Sequence, residues 1–102
     1  MKLPENFFSE VYDVVRQIPE GKVSTYGMVA RLVGFPNHFR LVASVLANLP
    51  AGHDLPCWRV VNAQGRTAPN WPGQQRMLEA EGVRFRRPGY VHLESACWNP
   101  FE

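Results

Sequence analysis

Proline and glycine divide the first half of this chain into three short segments, and this division limits the possible fold more than any other feature. The breaks fall at residues 18–21, 34–36 and 48–52. Before the first break, apolar residues recur at the spacing of one helix face: Phe7, Phe8, Val11, Tyr12, Val14 and Val15. The pattern predicts a helix that begins near Phe7 and stops near Ile18.

The next two segments predict a pair of shorter helices. Ser24 is a good N-cap for a helix over residues 25–32, and Gly34 ends that helix as a C′ residue. Asn37 then caps a third helix over residues 38–47. Its buried stripe consists of Leu41, Val42, Val45 and Leu46. Two short helices joined by a glycine-containing turn are typical of a helix-turn-helix, although any small helical domain can contain such a pair.

The outer face of the third predicted helix is a candidate DNA contact. Arg40 and Ser44 lie one turn apart, opposite the apolar stripe. Ala43, Ser44 and Ala47 keep this helix thin. Their small size suits close approach to a nucleic-acid backbone, and it equally suits tight packing against another helix.

The second half of the chain predicts short strands around one further helix. The predicted elements are a strand entering a tight turn over residues 60–66, a loop over 67–71, a helix over 74–81 with Pro72 near its start, and strands over 83–85 and 91–93. Met77 and Leu78 are expected to face inwards, and the aromatic tail to pack back onto the domain. The expected fold is mostly α with short β segments, in a single domain over residues 1–102.

Composition and cysteine usage exclude several classes of protein. The 102 residues are 45% hydrophobic, enough for one core, and the net charge of +2 does not by itself identify a nucleic-acid binder. The first residues lack the apolar core of a signal peptide, so we expect a reduced cytoplasmic protein with Cys57 and Cys97 both free. No run approaches the roughly 20 apolar residues of a membrane span. His38, His53 and His92 stand far apart, and neither a metal nor an organic cofactor is expected.

The stretch Leu55-Pro56-Cys57-Trp58-Arg59-Val60-Val61 is the candidate functional motif, because it sets a thiol beside an indole and a guanidinium. Within it, Pro-Cys-Trp-Arg-Val resembles the Pro-Cys-His-Arg-Val motif of the O6-alkylguanine-DNA alkyltransferases. Residues 18–27, 40–42, 74–76 and 81–83 are similar to further segments of that family. The short chain resembles the noncatalytic alkyltransferase-like branch, in which a Trp generally stands at the Cys position, or a trimmed transferase.

The resemblance implies a winged helix-turn-helix that binds duplex DNA through the minor groove and flips a damaged guanine into a pocket. Arg40 would fill the gap left by the flipped base, and Tyr26 would push on the adjacent phosphate. Ser24 and Thr25 would donate to phosphate, and Ser44 is placed on the same DNA-binding face. Plain structural interpretations remain open: an exposed salt-bridge partner for Arg40, a half-buried core phenol for Tyr26, and helix caps for the two hydroxyls.

The resemblance also implies a base pocket formed by Tyr26, Asn48, Pro56, Cys57, Trp58, Arg59, Val60 and Trp71. Asn48 corresponds to an asparagine that braces the turn carrying the motif, or it is a plain C-terminal helix cap. Trp58 either stacks near the flipped base or packs in the core, and Arg59 braces the pocket by bonding neighbouring backbone. Trp71 lies in a loop that looks shorter and less basic than in most alkyltransferase-like relatives, and it either covers the base or packs as a hinge.

Alkyl transfer to Cys57 needs a thiolate, and an unassisted thiol with a pKa near ~8.5 is only a few per cent ionised at neutral pH. In the transferases the residue after the cysteine is a His that relays the thiol proton through water. A downstream Glu orients this His, and Glu81 matches that Glu. Here Trp58 replaces that His, and an indole N–H donates a hydrogen bond but accepts no proton. The relay is therefore cut, although Arg59 is expected to lower the thiol pKa a little.

These observations leave three functional hypotheses, of which the first is favoured. It is a DNA damage sensor that flips O6-alkylguanine, holds it without repair and recruits nucleotide excision repair proteins, acting as a monomer. The alternative is a suicide O6-methylguanine-DNA methyltransferase with Cys57 as the alkyl acceptor and Glu81 as a relic of its relay. The third is a winged helix that binds undamaged DNA, against which the small net charge argues.

Overall fold

Three helices form the N-terminal half of the computed structural model, which describes residues 5–101. They are α1 (Phe7–Gln17), α2 (Tyr26–Leu32) and α3 (Phe39–Ala47). The buried residues of α1 are Phe7, Val11 and Val15, four residues apart and therefore on one helix face. The breaks between the helices lie where proline and glycine predict them. The expectation of a missing signal peptide rests on residues outside the described part.

The C-terminal half consists of short elements. They are a 3-10 turn at Cys57–Arg59, β2 (Val60–Val61), α4 (Gly73–Ala80), β3 (Phe85–Arg87), β4 (Tyr90–Val91) and α5 (Leu93–Ala96). A further short strand, β1 (Ser24–Thr25), lies in the N-terminal half and directly precedes α2. β1 and β2 pair in parallel with Ser24 opposite Val60, which brings the start of α2 beside the cysteine motif. β3 and β4 form an antiparallel hairpin, and a bridge between Arg66 and Tyr90 joins it to the chain after β2.

Two clusters of buried apolar side chains hold these elements together. The larger joins the first three helices to the cysteine motif and includes Phe7, Val11, Val29, Val42, Cys57 and Val60. The smaller joins β2, α4 and the hairpin and includes Val61, Leu78, Val83 and Val91. Because successive residues of a strand point to opposite faces, Val60 and Val61 anchor the motif in both clusters.

The aromatic tail packs back onto the domain, as predicted. Trp98 donates its backbone N–H to the Val23 carbonyl at 2.7 Å, and its half-buried side chain packs against the larger cluster. Phe101 does not take part and is 77% exposed. Cys57 is buried, Cys97 is exposed, and both are free thiols.

The observed starts of α2 and α3 differ from the predicted ones. Thr25, not Ser24, caps α2, because Thr25 Oγ1 accepts from the Met28 N–H at 3.1 Å. The N-cap position of α3 is His38 rather than Asn37, and no side chain there bonds the first turn. Both differences shift a helix boundary by one residue and leave the order of helices unchanged.

The second half departs further from the prediction. The strand expected over residues 60–66 stops after Val61, because the Asn62 side chain accepts from the backbone N–H groups of Gln64 and Arg66 and turns the chain. The hairpin strands lie at residues 85–87 and 90–91 instead of 83–85 and 91–93. Met77 is 38% exposed, whereas Leu78 is fully buried as expected.

Candidate functional site

A cavity of about 360 Å³ opens between the start of α2, one side of α3, the 3-10 turn and the loop after β2. Its lining consists of Tyr26, Ala43, Leu46, Ala47, Cys57, Ala68, Pro69, Asn70 and Trp71. The volume lies at the low end of the ~300–1,000 Å³ range of sites that take small organic molecules. Ala43 and Ala47 are four residues apart on α3 and present only methyl groups, so the space remains open.

Cys57 contributes to the cavity lining but is not an activated nucleophile. The residue is 9% exposed, and burial raises the pKa of its thiol to about 11, because a thiolate is poorly solvated among apolar groups. No side chain from residues 5–101 hydrogen-bonds its Sγ. At pH 7 a thiol with this pKa is ionised in on the order of one molecule in 10⁴.

Glu81 lies behind the motif, where several donors bind its carboxylate. Arg59 donates from Nε and Nη2 at 2.8–3.2 Å, Trp58 Nε1 donates at 2.8 Å, and the Gly21 N–H donates at 3.1 Å. Arg59 Nη1 also donates to the Ile18 carbonyl at 2.8 Å. The side chains of Arg59 and Glu81 are only 15% and 10% exposed. This nearly buried network joins the turn after α1, the cysteine motif and the end of α4.

The Glu81 network does not fit the proton relay that the resemblance implied for alkyl transfer. Trp58 presents a donor where a proton acceptor is needed, and the carboxylate already accepts from three residues. Arg59 bonds the backbone of Ile18, as predicted, but the expected lowering of the Cys57 pKa is wrong. The guanidinium is directed to Glu81, and burial alone raises the thiol pKa.

Hydrogen bonding also changes the ionisation of Glu81. Burial acts to raise its pKa, but hydrogen bonds from Arg59, Gly21 and Trp58, together with the Arg59 charge, outweigh burial and leave the pKa below its usual value. Since the folded state prefers the ionised form, Glu81 stabilises the fold above its unfolded pKa of about 4.3. That contribution is lost as the pH falls through the lower, folded-state pKa.

We expect Glu81→Gln to lower the free energy of unfolding at pH 7 by about 3 kcal/mol, because it leaves the nearly buried Arg59 without its counterion. Urea denaturation across a pH series measures the effect. The difference from wild type should shrink as the pH falls below ~4, because the carboxyl of the unfolded wild-type chain then binds a proton while the folded state, with its lowered pKa, binds one only at lower pH. Glu79→Gln, at an exposed carboxylate of the same helix, is the control and should change little. A Glu81→Gln difference that stays constant down to pH ~2 would contradict this account.

Only part of the predicted base pocket lines the cavity. Tyr26, Cys57 and Trp71 do so, and the half-buried Trp71 also packs against the larger core cluster. Trp58 and Arg59 turn away from it towards Glu81. Pro56 and Val60 are buried and do not belong to the lining.

Asn48 is an exposed residue at the C-terminal end of α3. Its side-chain amide donates to the Ser44 carbonyl at 2.8 Å. The structure thus gives it the helix-capping role, and this bond does not brace the cysteine motif.

Sequence reasoning missed the cavity residues on α3 and in the loop. The small side chains of α3 were the available signal for Ala43 and Ala47, but the loop residues 68–70 had none. Gln74 positions that loop: it is 1% exposed, donates to the carbonyls of Trp58 and Val60 at 3.0 Å, and accepts from the Ala68 N–H at 2.7 Å.

Of the predicted DNA contacts, only Tyr26 belongs to the cavity lining, whereas Ser24, Thr25, Arg40 and Ser44 do not. Ser24 is 1% exposed in β1, so its hydroxyl does not reach the surface. Arg40 and Ser44 are exposed on α3. Arg40 makes no salt bridge within residues 5–101, and its guanidinium carbon lies 5.8 Å from the ring centre of Phe39. Tyr26 is half-buried, and burial, followed by the effect of Cys57, raises its pKa and keeps its hydroxyl protonated.

No three His, Cys, Asp or Glu side chains within the described part of the chain are grouped so that they could hold a metal ion. None of its helices has the length and apolar character needed to cross a membrane.

The fold and the cavity beside a Pro-Cys-x-Arg-Val motif are those of a DNA-binding domain from a DNA repair family. The family model described as "6-O-methylguanine DNA methyltransferase, DNA binding domain" matches residues 6–83, and the chain belongs to this family.

Several known proteins are similar to nearly the whole chain. The DNA base-flipping protein of Vibrio parahaemolyticus is 39% identical, over 94% of this chain and 99% of its own. Alkyltransferase-like protein 1 of Schizosaccharomyces pombe is 36% identical, over 94% and 97%. The crystal structure of S. pombe Atl1 in complex with damaged DNA containing O6-carboxymethylguanine matches with a TM-score of 0.87 at 34% identity, covering 98% of this chain and 100% of that one.

Proposed function

We propose that this protein binds duplex DNA, flips an O6-alkylguanine into the cavity beside Cys57 and holds it without alkyl transfer. One observation carries the proposal: the cavity is open, but the groups beside it are not arranged to ionise Cys57 for alkyl transfer. The thiol has a pKa of about 11, and Glu81 is bound by Trp58 and Arg59 instead of a proton-relaying imidazole. The names of the relatives, base-flipping and alkyltransferase-like, support the same function.

We assign α2 and α3 as a helix-turn-helix and the β3–β4 hairpin as its wing. The two helices pack against each other, and the turn between them contains Gly34 at a φ of 91°. In this assignment α3 enters the minor groove, where its alanines allow close approach to the sugar–phosphate walls. Arg40 and Ser44 then face the DNA.

Flipping a base out of the duplex costs a few kcal/mol and leaves a gap in the stack. Arg40 is suited to fill that gap, because it is exposed and not committed to a carboxylate within the described chain. Tyr26 lies at the first turn of α2 and in the cavity lining, where it can support the rotated nucleotide. Thr25 accepts from the Met28 N–H, so its hydroxyl proton remains available to a phosphate.

A suicide methyltransferase is the second candidate, because Cys57 lies in the cavity lining. In that reaction the thiolate sulfur forms a bond to the alkyl carbon while the bond to guanine O6 breaks. Without a general base such a step is slowed about 10²–10⁴-fold, and the buried thiol is protonated at neutral pH. We therefore favour recognition over repair.

We further propose that the protein acts as a cytoplasmic monomer, without a metal or an organic cofactor. Because binding without transfer leaves the lesion in the DNA, another system has to remove it. Nucleotide excision repair proteins are the proposed partners, since they excise damage that a bound protein marks.

Electrophoretic mobility shifts with paired duplexes test the proposal. One duplex carries a single O6-methylguanine and the other carries guanine at the same position. The proposed function requires tighter binding to the damaged duplex at equal salt concentration. Equal affinity for the two duplexes would contradict it.

A further inference from the structure

The hairpin at residues 84–91 carries a concentration of positive charge that the cavity and the α3 face do not explain. Arg84, Arg86 and Arg87 are all exposed, and none forms a salt bridge with a residue in the range 5–101. Residues 62–92 contain five arginines against two glutamates, Glu79 and Glu81. Since Glu81 is neutralised by Arg59, this segment is basic although the whole chain has a net charge of only +2.

Backbone hydrogen bonds join the hairpin to the segment that follows the cysteine motif. Val91 donates to the Gly65 carbonyl at 2.8 Å, and Thr67 donates to the Gly89 carbonyl at 2.9 Å. A Cβ at Gly65 would lie 2.7 Å from the Val91 carbonyl oxygen, and the φ of Gly65 is +83°, so this close approach requires glycine. The hairpin is thus held firmly to residues 65–67, which lead directly into the loop that lines the cavity beside Cys57.

The arginines are also ordered in advance of any ligand. The guanidinium carbons of Arg86 and Arg87 lie 4.8 and 4.0 Å from the ring centre of Tyr90, and Arg86 Nη2 donates to the Gln64 carbonyl at 3.4 Å. Stacking on an aromatic ring restricts a guanidinium without neutralising it. Two charged side chains are therefore fixed on one exposed edge, which lowers the entropy lost when they bind an anion.

We propose that this arginine hairpin, residues 84–91, binds the phosphate backbone of the duplex on one side of the lesion. Guanidinium groups bind phosphate oxygens through paired N–H donors, and the hairpin is continuous with the loop that lines the cavity. The proposal rests on the proposed function, because the cavity gives the duplex its position.

The experiment compares the wild type with the triple variant Arg84→Gln, Arg86→Gln and Arg87→Gln on damaged and undamaged duplexes at several salt concentrations. The slope of log affinity against log salt should decrease by about 0.9 for each arginine that contacts a phosphate. The loss of affinity should be the same for both duplexes, because phosphate contacts carry no information about the base. Arg87→Gln alone and Arg16→Gln each remove one positive charge, the second at an exposed arginine on α1 that pairs with Asp13 and Asp54. Only Arg87→Gln should reduce the slope.

Duplexes shortened on one or the other side of the lesion locate the contact. On one of them the wild type and the triple variant should bind equally, because the phosphates that the hairpin binds are absent. An unchanged slope, or equal effects of Arg87→Gln and Arg16→Gln, would overturn the proposal and leave the hairpin as a surface for an acidic protein. If the wild type bound damaged and undamaged duplexes equally, that result would instead contradict the proposed function. A failure of the hairpin proposal can therefore be distinguished from a failure of the proposed function. Circular dichroism melting checks that the variants are folded.

Discussion

The Trp58→His variant is expected to transfer the methyl group of O6-methylguanine to itself about 10²–10⁴-fold faster than the wild-type protein, which is the usual contribution of a general base. The indole N–H of Trp58 lies 2.8 Å from Glu81 Oε2. An imidazole at this position can donate one ring N–H to the same oxygen and use its other nitrogen to accept the proton of Cys57. Histidine is also smaller than tryptophan, which leaves room for a water molecule between the ring and the thiol.

Two controls show whether the gain has this cause. Trp58→Gln can also donate to Glu81 but accepts no proton at neutral pH, so it should remain inactive. Adding Cys57→Ser to Trp58→His should abolish the transfer, whereas adding Cys97→Ser should not, because Cys97 is exposed and lies outside the cavity lining. The measurement is the intact protein mass over time with excess methylated duplex. Transfer by Trp58→Gln at the rate of Trp58→His would show that the missing base is not what disables Cys57.

Arg40→Ala is expected to remove most of the preference for damaged DNA. If Arg40 replaces the flipped base in the stack, its loss forfeits a contact of the kind that is worth ~1–3 kcal/mol per base. Affinity for O6-methylguanine duplex should then fall about 10–100-fold, while affinity for plain duplex falls much less. Arg40 lies on the exposed face of α3 and makes no salt bridge within the described residues, so the fold should not change.

Mobility shifts with the two duplexes measure this effect. The control is Arg31→Ala, which removes an exposed arginine from the last turn of α2. An equal loss of affinity for both duplexes in Arg40→Ala would contradict the proposed role, since that result identifies Arg40 as an ordinary phosphate contact.

The helices could be predicted because their signals are local. The buried face of α1 repeats every four residues, and proline or glycine stands at each break, so the observed bounds differ from the predicted ones by about one residue. The strands could not be placed as well. Each has only two or three residues, and its position depends on a partner far away in the chain, as with Ser24 opposite Val60.

The cysteine motif shows why adjacent residues of a site cannot be assigned together. The family resemblance implied a pocket that includes Cys57, Trp58 and Arg59. They form a 3-10 turn, in which successive side chains point about 120° apart. Cys57 therefore faces the cavity, while Trp58 and Arg59 bind Glu81.

Long-range polar contacts were the least predictable part of the site. Gln74 positions the loop at residue 68 through bonds to Trp58, Val60 and Ala68, yet a single glutamine in a helix carries no signal of burial. The Arg59–Glu81 ion pair spans 22 residues in the sequence. The sequence did indicate that Cys57 lacks a proton acceptor beside it. This follows from the identity of Trp58 alone, because an indole N–H donates a hydrogen bond and accepts no proton, wherever the other residues of the relay lie.

We propose that this protein holds an alkylated base without accepting the alkyl group. The most direct test incubates the wild-type protein with excess O6-methylguanine duplex, under conditions where the complex is seen by mobility shift, and then weighs the intact protein. We expect an unchanged protein mass and intact O6-methylguanine in the recovered DNA. A stoichiometric gain of one methyl group on Cys57 would contradict the proposal and show that the protein is a methyltransferase.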